Sequence, residues 1–173
     1  MKKMKRLVAV LLAGIMALAM LTACGGTTGT PVTRDDALEK SVATWAVEWG
    51  KEAANLKLTE DADLTAISAK CLPSVAKVYN AGFANDKEAV MDAVLEMNKV
   101  FAAAKGDKKV AMVDVMIPNG MEVTKQTLVQ AVQNGMPNIQ ASLNNAGVKN
   151  PAKFGVTVTK QDKYTLVLFM VSE

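Results

Sequence analysis

Histidine is absent from this 173-residue chain. Its absence excludes Ser-His-Asp and Cys-His catalysis, the common zinc sites and a proton switch near neutral pH. Aromatic residues make up only 5% of the chain, and cysteine occurs twice. Few rings are therefore present that could stack on nucleic acid bases. Any reaction chemistry would have to come from carboxylates, lysine, tyrosine or hydroxyl groups.

The first 24 residues have the three-part layout of an export signal. Four cationic residues precede an apolar run over residues 7–21, and Thr22-Ala23-Cys24 follows that run. The segment Leu21-Thr22-Ala23-Cys24 resembles the lipobox of bacterial lipoproteins. The resemblance implies cleavage between Ala23 and Cys24 and acylation of Cys24. Acyl chains would anchor the protein to the bacterial membrane on its extracytoplasmic face. The alternatives are an ordinary secretory signal and a transmembrane helix, although the apolar run is short for a membrane span.

Removal of residues 1–23 changes the charge of the chain. Four of the 20 Lys and Arg lie in that segment, so 16 remain against 17 Asp and Glu, a formal net charge of −1. Without a basic cluster, nucleic acid is an unfavoured partner. Residues 24–33, rich in Gly and Thr, are expected to form a flexible tether, and residues 34–173 a single domain. Cys71 is then the one remaining thiol, so no disulfide is expected.

Hydrophobic periodicity predicts an α+β fold in which about five helices cover a small antiparallel sheet of about three strands. Thr33 and Asp36 are expected to begin the first helix, and Pro73 to kink or divide the second. Asn134-Gly135 should end the fourth helix, and Pro137 should begin a short fifth. The expected helices cover roughly residues 34–56, 61–82, 85–106, 124–135 and 137–144, and the expected strands residues 109–117, 155–159 and 164–171.

Three residues are candidates for a ligand groove. Trp45 and Trp49 lie one helical turn apart and could line such a groove, although aromatic pairs at this spacing more often pack in a core. Asp114 interrupts an otherwise apolar strand. Its carboxylate is either satisfied by backbone donors or part of a site. No metal and no cofactor are expected, because the chain lacks histidine and a calcium-loop spacing of acidic residues.

Two further residue groups permit alternative interpretations. Glu48 and Glu52 share a helix face and, together with Asp114, could act as acid and base in a hydrolase similar in logic to a glycosidase. That activity requires two carboxylates about 5–10 Å apart in one cleft. A solvated helix face is the simpler interpretation of the pair. Cys71 lies among apolar positions and is expected to be a buried, unreactive thiol.

Patches over about half of the mature chain resemble CAP domains, the family of cysteine-rich secretory, antigen 5 and pathogenesis-related proteins. Leu56 to Leu64 is similar to the "pLxxdxxLxxaA" start of the second CAP helix. Val123 to Val132 resembles the helix before the "pgHraniL" segment, and Met136 to Asn144 lies where that segment would be. Phe154 to Val158 resembles the "igvGv" strand, and Tyr164 to Met170 the final strand. The resemblance implies an α-β-α sandwich.

The chain departs from the CAP pattern at the metal-binding tetrad of two histidines and two acidic residues. Both histidines are missing, and Pro137-Asn138 stands nearest to the second. The resemblance therefore implies a degenerate member without the tetrad, and fold analogy alone assigns no activity. The sequence predicts a lipid-anchored, non-catalytic binding module of the bacterial cell envelope, with an envelope protein, glycan or lipid as ligand. The alternatives are the carboxylate-dependent hydrolase and a structural subunit of an envelope complex.

Overall fold

The computed structural model describes residues Val32–Glu173. The predicted signal segment, the cleavage site between Ala23 and Cys24, the acylated Cys24 and most of the predicted tether lie outside the described residues. Four helices and four strands follow one another along the described chain. In order they are α1 (Asp36–Ala54), β1 (Thr59–Glu60), α2 (Ala62–Phe83), α3 (Lys87–Lys105), β2 (Ala111–Pro118), α4 (Lys125–Ala146), β3 (Lys153–Lys160) and β4 (Tyr164–Ser172).

The sheet has the strand order β1-β3-β4-β2. Strands β2, β4 and β3 are antiparallel neighbours over eight residue pairs at each interface. They are the three strands that the sequence predicts, so the α+β fold class is confirmed. The two-residue strand β1 adds a short parallel pairing to the start of β3, where Thr59 lies opposite Lys153. A strand this short has no periodicity by which the sequence could reveal it.

Helices cover both faces of the sheet. Alternate residues of each strand point to opposite faces, which separates the apolar interior into two clusters. The α1–α4 face is formed by α1, α4 and one side of the sheet, and its buried residues are Val42, Ala43, Val113, Val115, Ile117, Leu128, Phe154, Val156, Val158, Val167 and Phe169. The α2–α3 face is formed by α2, α3 and the other side, and its buried residues are Leu64, Ile67, Cys71, Leu72, Val75, Ala76, Val110, Tyr164, Leu166, Leu168 and Met170.

The predicted fourth and fifth helices form one helix, α4. It continues through Gly135 and Pro137, although glycine and proline both disfavour a helix interior. The continuous helix brings Ile139 against the core of the α1–α4 face and lets the Ser142 hydroxyl donate a hydrogen bond to the Met112 carbonyl, at 2.6 Å. Packing beyond the proline therefore outweighs local propensity, and the predicted break was wrong.

Helix α2 also continues through its proline, Pro73. The N-cap of the first helix lies two residues later than predicted, since Asp35 rather than Thr33 accepts a hydrogen bond from the Leu38 backbone N–H at 3.0 Å. Strand β2 was expected to be covered evenly on both faces. It is an edge strand instead, fully buried toward the α1–α4 face and only half-buried toward the α2–α3 face, where Asp114 is exposed.

Helix α2 lies unusually close to strand β3. A Cβ atom added at Gly155 would stand 2.0 Å from the backbone nitrogen of Thr65, so only glycine permits this approach. Beyond this crossing, the Ser68 hydroxyl donates to the Leu168 carbonyl at 2.8 Å and lies 2.6 Å from the Thr157 hydroxyl. These buried polar contacts fix the helix in one register on the sheet.

The outer edge of β3 is closed partly by a side chain. The Glu39 carboxylate is buried and accepts a hydrogen bond from the Val158 backbone N–H at 2.9 Å. The Val158 carbonyl accepts from the Asp35 backbone N–H at 2.9 Å. Arg34 donates to Glu39 through its guanidinium, and this pairing raises the pKa of Arg34. Residues just before α1, together with Glu39 in its first turn, thus take the place of a neighbouring strand.

Candidate functional site

The α1–α4 groove is a shallow depression of about 580 Å³ between the two helices of that face. Its lining residues are Trp49, Glu52, Lys125, Gln126, Val129, Gln130 and Gln133. Residues four apart on α4 line it in two neighbouring rows, one of which begins at Lys125 and the other at Gln126, because residues i and i+4 share a helix face. Trp49 lines the opposite side from α1.

The two tryptophan side chains lie in different environments. Trp45 is partly buried and packs against the core of the α1–α4 face. Trp49, one turn later, lines the groove and offers part of its ring to solvent. Of the two interpretations that the sequence left open, the core contact applies to Trp45, whereas Trp49 remains a ligand-groove candidate. Sequence spacing alone could not separate them, since both lie on the apolar side of one helix.

The carboxylates Glu48 and Glu52 converge on one lysine. The Lys125 ammonium donates to Glu48 Oε2 at 3.0 Å and to Glu52 Oε2 at 3.2 Å. These two hydrogen bonds raise the pKa of Lys125 and keep its ammonium protonated, and the bond to Glu48 has the larger effect. A protonated lysine is neither a nucleophile nor a base. Its role here is to bridge α1 and α4 at the rim of the groove.

Asp114 lies on the other side of the sheet. It shares a face with Met112 and Met116, which pack toward the α2–α3 face, and its carboxylate accepts a hydrogen bond from the Tyr79 hydroxyl. Burial, followed by the contact with Asp114, raises the pKa of Tyr79 well above its ordinary value. The structure therefore does not bring Asp114 together with Trp45 and Trp49 in one groove, and Asp114 does not converge with the Glu48–Glu52 pair.

A second depression, the α2–α3 pocket, measures about 310 Å³ and is almost wholly apolar. Its lining residues are Val78, Tyr79, Gly82, Phe83 and Val90. The Phe83 ring stacks on Tyr164 with 5.4 Å between ring centroids, and 42% of Phe83 is exposed. The Lys163 ammonium lies 5.5 Å from the centre of the same ring.

The glutamines of the α1–α4 groove are the residues that the sequence analysis missed. Gln126, Gln130 and Gln133 recur at i, i+4 and i+7, so their shared face was readable from the sequence. Among residues 32–173, neither their amides nor the Trp49 indole N–H forms a hydrogen bond to the protein. The groove therefore presents both donors and acceptors that are free to bind a ligand.

Cys71 is fully buried, as predicted. Burial raises the pKa of its thiol from 9.0 to about 11, which suppresses the reactive thiolate at neutral pH. Within Val32–Glu173, no group of three or more acidic or cysteine residues is arranged to hold a metal ion. In the same range, no helix combines the length and apolar character needed to cross a bilayer.

Comparison with known proteins yields no match to a family model, to a curated protein or to a solved structure.

Proposed function

We propose that this protein is a lipid-anchored, non-catalytic binding module on the extracytoplasmic face of a bacterial cell, and that the α1–α4 groove is its ligand site. The lipobox at Leu21–Cys24 supports the anchor. The observation that carries the binding function is the set of uncommitted polar groups around Trp49. The CAP resemblance stays a prediction.

The groove suits a glycan strand of the envelope. A partly exposed indole offers a flat apolar surface on which the C–H face of a sugar ring can lie. The three glutamine amides supply paired donors and acceptors for hydroxyl and acetamido groups, and Glu52 and Lys125 add charged partners at the rim. The groove is shallow, as an extended polymer requires. An apolar small molecule would instead favour an enclosed pocket.

Binding can be measured with soluble glycan strands prepared from peptidoglycan. The described domain, Val32–Glu173, forms one compact unit and can be used alone. In a Trp45→Phe variant, Trp49 is the remaining tryptophan and reports ligand contact through its fluorescence. We expect a saturable change on titration. Replacing Gln126, Gln130 and Gln133 together by alanine should weaken binding by about tenfold or more.

The matched control is Gln140→Ala, which alters an exposed glutamine on the same helix outside the groove. It should bind glycan as the parent does. The absence of any saturable fluorescence change would contradict the glycan assignment. Cleavage of the strands during the titration would favour the hydrolase alternative instead.

The anchor is tested separately in cells of a bacterium that processes lipoproteins. Replacing Cys24 by alanine should abolish incorporation of labelled fatty acid and leave an uncleaved precursor or release the protein, because Cys24 would carry the acyl chains. Normal fatty-acid labelling of the Cys24→Ala protein would contradict lipidation at this residue.

A further inference from the structure

One end of the described domain combines the entry of the chain with exposed apolar side chains. We name it the hairpin end and define it by the β3–β4 turn, Gln161–Lys163, together with Phe83 and Met121. The ring of Phe83 lies beside Lys163. The Asn119 backbone N–H donates a hydrogen bond to the Lys163 carbonyl at 2.9 Å. This bond places the turn after β2, which contains Met121, at the same end of the domain.

The chain enters the domain at this end. Arg34 forms an antiparallel bridge with Thr159, and the Asp35 backbone N–H donates to the Val158 carbonyl. In an antiparallel pairing, residue numbers rise along one strand as they fall along the other. Residues 33 and 32 therefore run back from Arg34 toward positions 160 and 161, which is the direction of the β3–β4 turn. Val32 packs against the core of the α2–α3 face.

Chain length limits how far this end can stand from an anchored Cys24. Eight residue steps separate Cys24 from Val32, and a fully extended chain spans at most about 3.6 Å per step, or about 29 Å. The eight residues of β3 extend about 26 Å away from the hairpin end. To place the opposite end of the sheet on the bilayer, the tether would have to run almost fully extended along the whole domain. The hairpin end needs no such extension.

The side chains at the hairpin end suit a membrane interface. Phe83 is 42% exposed and Met121 is 50% exposed, although both are large and apolar. The Lys163 ammonium stands over the Phe83 ring. An exposed aromatic ring beside a lysine is suited to the headgroup region, where the ring contacts acyl chains and the ammonium contacts phosphate.

We propose that the hairpin end rests on the bilayer to which Cys24 is anchored, with Phe83 and Met121 in the headgroup region. This inference relies on the proposed lipid anchor. It fixes an orientation in which the β3–β4 turn faces the lipid and the opposite end of the sheet, with the loop Gly147–Ala152, faces away.

The orientation can be measured on the full lipidated protein in vesicles of phosphatidylethanolamine and phosphatidylglycerol that carry a quencher on a fraction of headgroups. A fluorophore is attached to a single introduced cysteine, either Met121→Cys at the hairpin end or Asn150→Cys in the opposite loop. Buried Cys71 should not react, given its raised pKa. We expect at least about twofold stronger quenching at position 121, because interfacial side chains lie only about 5–10 Å deep.

A second pair of variants tests the apolar contact itself. With the probe at position 121, Phe83→Ser should reduce quenching toward the value at position 150. Met136→Ser is the matched control, since Met136 is equally exposed at 41% but lies on α4. It should leave quenching unchanged. The comparison separates a membrane contact from a general effect of removing surface hydrophobicity.

Two failures are distinguishable. Mass spectrometry that shows an unacylated Cys24 would overturn the lipid anchor and with it this orientation. An acylated protein whose two probes are quenched equally would overturn the orientation and leave the anchor intact. A hairpin end that is shielded from the quencher by a bound envelope protein, in native membranes and not in vesicles, would assign this surface to the accessory-subunit alternative.

Discussion

The two faces of the sheet are built differently. On the α2–α3 face, helix α2 contacts β3 so closely that Gly155 cannot carry a side chain, and buried hydroxyls of Ser68 and Thr157 join helix to sheet. On the α1–α4 face, a core of valines with Phe154 and Phe169 supports two helices, and an open groove lined by polar side chains lies between them. The tight face provides rigidity, and the open face leaves groups available for a ligand.

The largest expected loss of stability comes from disrupting the packing of the α2–α3 face. Gly155→Ala places a methyl group within 2.0–2.7 Å of the Leu64–Thr65 backbone, which belongs to a helix and cannot move alone. We expect the free energy of unfolding to fall by roughly 3–5 kcal/mol, enough to prevent folding of a marginally stable domain. Urea unfolding followed by circular dichroism measures it.

Gly135→Ala is the matched control on the open face. Gly135 lies inside α4, and an added Cβ would make only an ordinary contact, 3.8 Å from the Ile139 Cδ1. Because alanine is the better helix former, we expect a gain of roughly 0.5–1 kcal/mol. Equal effects of the two substitutions would show that the faces do not differ in packing as described.

Alkaline pH should weaken the tight face selectively. Burial raises the pKa of Cys71 from 9.0 to about 11 and that of Tyr164 from 10.0 to about 12. Both groups lie on the α2–α3 face. A folded-state pKa above the unfolded value gives stability that is complete below the unfolded pKa and is lost as pH rises through the folded pKa. Stability should therefore fall above pH 9, by up to about 1.4 kcal/mol per pH unit and group.

Cys71→Ala separates the thiol from the tyrosines. In thermal unfolding between pH 8 and 10, the variant should lose less stability with pH than the parent does, because the thiolate no longer forms in the unfolded chain. The substitution can also lower stability at pH 8, so the quantity to compare is the slope of stability against pH. Parallel stability curves for variant and parent over this range would contradict the assignment to Cys71.

The buried hydroxyl pair carries a moderate effect. Ser68→Ala removes the hydrogen-bond partner of the buried Thr157 hydroxyl. We expect the free energy of unfolding, measured in urea, to fall by roughly 1–3 kcal/mol. Adding Thr157→Val should recover part of the loss, since both partners are then apolar. Ser41→Ala on α1, whose hydroxyl donates only to the Ala37 carbonyl, should change stability by less than about 0.5 kcal/mol. A double variant no more stable than Ser68→Ala would argue against the pair.

The smallest effect is expected at the rim of the groove. Lys125→Met removes ion pairs with Glu48 and Glu52, and solvent-exposed ion pairs contribute little to stability. The melting temperature should fall slightly at low salt and less at high salt, because salt screens such pairs. Lys99→Met on α3 serves as a surface control. A large fall in melting temperature that high salt does not reduce would show that Lys125 holds α1 and α4 together.

The fold was predictable where periodicity is long and pure. Strands β3 and β4 and the helices of the N-terminal half follow it closely, and the turn between Lys160 and Tyr164 is where the sequence predicts it. The break in α4 was mispredicted, because the contacts of Ile139 and Ser142 that stabilise its second half come from distant strands. Local sequence at Gly135 and Pro137 carries no information about those contacts.

The candidate site was only partly predictable. Trp49 lines the groove because α1 packs beside α4. The position of α4 therefore determines that Trp49 lines the groove while Trp45 packs against the core. Asp114 was grouped with the tryptophans only because it was unusual in its strand. The register of β2 against β4 determines which face of the sheet Asp114 occupies. That register depends on residues far apart in the sequence, so local sequence does not show it. The glutamine row on α4 was visible at helical spacing and was overlooked.

Closure of the β3 edge affects how copies of the protein can meet one another. The proposed lipid anchor would concentrate copies of the protein in two dimensions, where an uncovered strand would offer its backbone to each neighbour. Here Glu39 occupies the Val158 N–H, Asp35 occupies the Val158 carbonyl, and β1 pairs with the start of the strand. A single buried carboxylate thereby helps to remove this edge of the sheet from strand exchange between copies.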